Sequence, residues 1–96
     1  MNELILLPPA AKYIKKIKGR AMKKAFQDAL GDILADPYIG FIKKGDLAGI
    51  YSYDIIYRKV NYELAYTIIE KKNKKIVVIM AGTRDNFYEQ LKRYLK

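Results

Sequence analysis

A chain of 96 residues has room for one domain (1–96) and a modest core, burying about 60–65% of the surface its unfolded form exposes. It holds no cysteine and no histidine, which excludes disulfides, thiolate metal sites, imidazole bases and Ser-His or Cys-His nucleophile pairs. Nineteen Lys and Arg against ten Asp and Glu give a net charge of +9, which favours nucleic acid, a ribosome or an acidic protein as partner without choosing among them.

Glu3 to Leu7 reads as a short strand entering a sheet. Its apolar part is too short for a signal-peptide core or a membrane span, so a cytoplasmic protein with no membrane contact is expected. Pro8 and Pro9 end the strand, and Pro9 suits the first turn of a helix. Ala10 to Ile17 reads as that helix, with Tyr13, Ile14 and Ile17 inward. Gly19 breaks it. A second helix is predicted from Arg20 to Ala35, where Met22, Phe26, Ala29, Leu30, Ile33 and Leu34 form one apolar stripe, read as core. The two helices make an antiparallel hairpin. Seven basic residues between Lys12 and Lys24, among them Lys15, Lys16 and Arg20, come from its outer faces. They read either as a nucleic-acid contact or as a solvated surface with i,i+4 pairs such as Lys24 with Asp28. Asp28, Asp32 and Asp36 share an exposed face and form no metal cage.

Asp36-Pro37 stops the second helix. A loop, Tyr38 to Gly49, follows. It lacks the spacing of a phosphate-binding P-loop, but its Lys43 and Lys44 are placed to hold backbone phosphates. Ile50 to Arg58 alternates as a strand with Tyr51, Tyr53, Ile55 and Tyr57 on one face. Lys59-Val60-Asn61 turns the chain into a strand from Tyr62 to Ile69. Lys71 to Lys75 is an exposed basic hairpin tip, which also guards a sheet edge against aggregation. Nine tyrosines and three phenylalanines supply aromatic faces able to stack on bases.

Ile76 to Ala81 is a run of apolar, largely β-branched residues and reads as a central strand. Gly82 breaks the run. Asn86 can cap a helix to the C-terminus, with Phe87, Leu91 and Leu95 on one face. Arg84 and Tyr88 therefore stand where a rigid strand gives way to a helix, a place from which a guanidinium and a phenol can act on one phosphate. The fold read from these elements is α+β: an N-terminal helix hairpin packed on a roughly four-stranded antiparallel sheet, with a short C-terminal helix.

The ordered set Gly45-Asp46-Leu47-Ala48-Gly49, Tyr51-Ser52-Tyr53-Asp54, Asn61-Tyr62-Glu63-Leu64-Ala65-Tyr66 and Gly82-Thr83-Arg84-Asp85-Asn86-Phe87-Tyr88 resembles the second half of RelE/ParE-superfamily toxins of bacterial type II toxin–antitoxin pairs. The resemblance implies a RelE-like fold with a concave sheet face. It also implies a cognate antitoxin as partner, a monomer when free and a hetero-oligomer with the antitoxin. RNA-cleaving members of that family are ribosome-dependent mRNA endoribonucleases that work without metal or cofactor. In them a ribose 2′-OH attacks the adjacent phosphate.

Carried over by position, Arg84 matches the family arginine after the last strand, Tyr88 the C-terminal tyrosine, and Arg58 a basic position beside the cleft. The RNA-binding expectation rests on Lys43, Lys44, Tyr51 and Tyr53, with Lys15, Lys16 and Arg20 on the hairpin. Four positions depart. Glu63 stands where RNA-cleaving members often carry arginine, Asp54 and Ile56 where some carry paired lysines, and Phe87 where others carry histidine. Glu63 or Asp54 can serve as base, with Tyr88 or a lysine as acid, or Glu63 can pair with Arg58 or Arg84 as a salt bridge. The same departures leave open a ParE-like inhibitor of DNA gyrase without nuclease activity, or a non-catalytic basic RNA-binding module.

Overall fold

The computed structural model describes residues 2–96. Strand β1 (Glu3–Leu6) leads straight into helix α1 (Pro8–Lys15). Both prolines sit in its first turn, where the missing N–H has no partner to lose, so the helix starts before the expected Ala10 and ends at Lys15. Gly19 breaks the chain as expected, with φ +93°, and helix α2 (Arg20–Ala35) follows with the expected bounds.

The stretch from Tyr38 to Gly49 is not all loop. It contains a two-residue strand, β2 (Phe41–Ile42), and a 3-10 turn at Gly45–Leu47. Then come β3 (Ile50–Tyr57), β4 (Val60–Glu70), β5 (Lys74–Thr83) and helix α3 (Phe87–Leu95). Arg58 is not the end of a strand. Arg58 and Lys59 form a two-residue hairpin turn between paired Tyr57 and Val60, both with positive φ (51° and 66°).

The sheet has five strands in the order β1-β5-β4-β3-β2, one more than expected. It is also mixed: β1 runs parallel to β5, and the other pairings are antiparallel. The α+β class stands. Gly82 does not break β5. It pairs with Glu63, and the strand continues to Thr83 opposite Tyr62.

Alternation divides the sheet into two faces, and each is covered differently. On one face Phe26 and Ile33 of α2, Ala10 of α1 and Ile17 just after it pack on Ile55, Leu64, Tyr66, Ile76 and Val78. On the other, Phe87 and Leu91 of α3, with Leu47, pack on Ile50, Ala65, Ile79 and Met80. A bulge makes this possible: Ala65 pairs with Met80 and Tyr66 with Val78, so unpaired Ile79 turns to the same side as Met80. Leu34 and Leu95, expected inside, lie at the ends of their helices and are exposed.

Candidate active site

The face that carries α3 is only partly covered. On this face lie buried Ser52 of β3 and Glu63 of β4, exposed Asp54 of β3 and Arg84, and half-buried Tyr88 of α3. Register places Asp54 directly opposite Glu63 across β3 and β4, and Glu63 opposite Gly82 across β4 and β5. The two acids are thus neighbours on one face, but they differ in exposure: Glu63 is buried and Asp54 exposed.

Arg84 is held by its backbone. Its N–H donates to the Asn61 carbonyl at 3.0 Å, extending the β4–β5 ladder one step past Thr83. Its side chain stays largely in solvent, with Nε 3.7 Å from Glu63 Oε1. Glu63 Oε2 and Asn61 Oδ1, on the same face of β4, are both buried without a hydrogen-bond partner. Glu63 is therefore the anchor of Arg84, and an incompletely satisfied one. A shallow groove of about 350 Å³ opens beside this pair, lined by Lys59, Val60, Asn61, Thr83, Arg84 and Asp85.

Asn86 precedes α3 but does not cap it through its side chain. It adopts the left-handed conformation, φ 57° and ψ 16°. That turn lets Phe87 drop into the core and leaves Tyr88 half-buried beside it, the two rings 5.4 Å apart and nearly perpendicular. The ammonium of Lys43 lies 4.5 Å from the centroid of the Tyr88 ring. The structure therefore brings Lys43 to Tyr88 and Glu63 to Arg84. Lys44 is exposed next to Lys43.

The other expected residues lie apart. Tyr51 and Tyr53 face the helix hairpin, because their alternation puts them with Ile55 rather than with Ser52 and Asp54. The Tyr51 ring stacks on Tyr66 at 5.4 Å, and the Tyr53 hydroxyl donates to Asp32 Oδ2 at 3.1 Å. Their partners are side chains of this fold, so they are not open base-stacking platforms on the face that carries Arg84. Arg58 stands in its turn with its guanidinium 5.4 Å from the Tyr57 ring. Lys15, Lys16 and Arg20 are exposed on the hairpin, on the opposite side of the sheet from Arg84. Among the described residues no group of three or more His, Cys, Asp or Glu gathers as a metal site.

The comparisons with known proteins agree with this fold. Residues 4–92 match the family model described as the ParE-like toxin of type II bacterial toxin–antitoxin systems. Among solved structures, a chain of the intact E. coli RelBE toxin–antitoxin complex is 26% identical with a TM-score of 0.65, over 83% of this chain and 93% of that one. The isolated E. coli RelE toxin is 25% identical with a TM-score of 0.65, over 96% and 97%. A chain of the RelBE2 toxin–antitoxin complex from Mycobacterium tuberculosis shares the fold at 23% identity and a TM-score of 0.64, over 85% and 96%. No curated protein matches. With nearly the whole chain matched, this protein belongs to the ParE-like toxin family of type II bacterial toxin–antitoxin systems.

Proposed function

We propose that this toxin is a ribosome-dependent, metal-independent mRNA endoribonuclease that stops translation. The observations that support the reading are an exposed guanidinium anchored by its backbone, Arg84, just before the last helix, and a phenol in the first turn of that helix covered by a cation, Tyr88 under Lys43. The reaction needs a base for the 2′ proton, positive charge for the phosphorane, and an acid for the leaving oxygen. The 2′ oxygen bonds to phosphorus, the bond to O5′ breaks, and the products are a 2′,3′-cyclic phosphate and a free 5′-OH. Arg84 supplies the charge. Tyr88 gives its proton to O5′. Asp54, exposed beside Glu63, takes the 2′ proton, while buried Glu63 holds Arg84 in place. Lys44 and Arg58 hold flanking phosphates, and Lys15, Lys16 and Arg20 give the hairpin a second basic surface suited to ribosomal RNA.

The partner is a cognate antitoxin with an acidic or amphipathic segment, to which the +9 charge gives fast association. The free chain is a monomer and the inhibited form a hetero-oligomer. The E. coli and M. tuberculosis relatives seen as toxin–antitoxin complexes support this.

The carboxylate pair Asp54 and Glu63 favours a second reading, a ParE-like inhibitor of DNA gyrase, because it offsets positive charge where an RNA-cleaving site needs it. Primer extension on an mRNA under translation separates the two. Cuts inside codons at the ribosomal A site, lost in Arg84→Ala, are expected. Growth arrest without cuts, together with inhibited supercoiling by gyrase, would replace the first reading with the second.

A further inference from the structure

The segment before β3 and the last helix meet at three points. Lys43 lies on the Tyr88 ring. Leu47 is buried with Phe87 and Leu91. The Asp46 carboxylate stands 3.9 Å from Lys92 Nζ. Lys43 is itself fixed at its root, since its N–H donates to the Ile50 carbonyl at 2.8 Å. Its side chain therefore leaves a rigid strand end and lies half-buried against the ring, whereas neighbouring Lys44 is exposed. Tyr88 is gripped from two directions, by the Phe87 ring and by this ammonium.

We infer that Lys43 is a positioning residue for Tyr88, holding the phenol in its working orientation and offsetting the negative charge left on it when it gives up its proton. The inference rests on the nuclease reading. The physical reason is that an ammonium over an aromatic face is attracted to the ring, and more strongly once the oxygen carries a charge. The step balances. Asp54 takes the 2′ proton, the 2′ oxygen bonds to phosphorus, and the bond to O5′ breaks. The Tyr88 proton goes to O5′, and the phenolate left beside Lys43 is reprotonated from solvent as Asp54 returns its proton to solvent. Because this charge develops only as the bond breaks, Lys43 acts on the transition state more than on binding. A lysine that merely held a phosphate would do the reverse.

The test is single-turnover cleavage of mRNA in the A site of programmed ribosomes, at increasing concentrations of toxin. The variants are Lys43→Met, which keeps the aliphatic stem on the ring, Lys43→Gln, Lys43→Arg and Lys44→Met, each checked for folding by thermal unfolding. Lys43→Met and Lys43→Gln are expected to lower the maximal rate by about tenfold or more while the half-saturating concentration stays within about twofold. Lys43→Arg is expected to restore the rate, and Lys44→Met to raise the half-saturating concentration only. A Lys43→Met enzyme with intact maximal rate, or one whose only defect is weaker binding, overturns the inference. So does failure of Lys43→Arg to restore the rate. Absence of cleavage by the unaltered protein overturns the nuclease reading itself, and that result is visible without any variant.

Discussion

The carboxylate of Glu63 stands 3.7 Å from the Arg84 guanidinium while its other oxygen is enclosed with no partner at all. A buried carboxylate with so little compensation depends on its one nearby cation. Arg84→Ala is therefore expected to cost stability as well as activity, about 1–3 kcal/mol, although the arginine side chain is mostly in solvent. Adding Glu63→Gln removes the stranded charge and is expected to return most of that stability and none of the activity. Urea unfolding and growth on expression, measured on the two single variants and the double, check this. Equal stability of Arg84→Ala and the unaltered chain would show that the pair is energetically idle.

Gly40 has no room for a side chain. A Cβ there would stand 2.6 Å from the Ser52 carbonyl oxygen and 2.6 Å from the Tyr66 hydroxyl. The same hydroxyl accepts from the Gly40 N–H at 3.0 Å and donates to the Pro37 carbonyl at 2.9 Å, tying the end of α2 to β4. Gly40→Ala is expected to cost about 1–3 kcal/mol by overpacking. Tyr66→Phe is expected to cost a similar amount, about 1–3 kcal/mol, by leaving both backbone groups without their partner. The shift in urea midpoint measures each.

Leu91 is fully buried between α3 and the sheet, and only Phe87 buries as deeply from that helix. Leu91→Ala is expected to cost about 2–5 kcal/mol. Because Tyr88 is carried by the same helix, activity should fall with it. Hydrogen exchange should report loss of protection in residues 87–95 first, with the helix hairpin unaffected.

Burial pushes the phenols of Tyr13, Tyr53 and Tyr66 above the ordinary tyrosine value, and in Tyr53 the Asp32 carboxylate adds to the effect. As pH rises through about 10, the unfolded chain releases these protons while the folded chain still holds them. The folded state then binds more protons than the unfolded one, so stability is full below that pH and falls above it. Urea midpoints should hold steady up to about pH 9 and drop by about pH 11. Tyr66→Phe should flatten that drop, and an unchanged slope would remove Tyr66 from the account.

The elements themselves were legible because periodicity reports them directly. The stripe from Phe26 to Ile33 reads as helix α2, and the alternation from Ile50 reads as β3. What alternation cannot tell is which face a helix will cover. Tyr51 and Tyr53 share a face with Ile55 in either case, but only the packing of α2 shows that this face is closed. The strand β2 is too short to leave a pattern, and Gly82 looks like a breaker until the register shows that Glu63 supplies its ladder. The places of Arg84 and Tyr88 between β5 and α3 were readable because both residues follow one strand. Lys43 on Tyr88 joins residues far apart in the chain, and no local rule connects them.

The parallel pairing of β1 with β5 sets Glu3 beside Lys75, so the first strand to be synthesised waits for the last. As the chain leaves a ribosome, α1, α2 and the β3–β4 hairpin can gather early, but β1 has no neighbour in the sheet until β5 emerges. Arg84 and Tyr88 emerge later still. Long-range pairing of this kind is slow to form and cannot start on a partial chain. The order of strands thus works as a timer: a nascent polypeptide that stops short of β5 carries no assembled site.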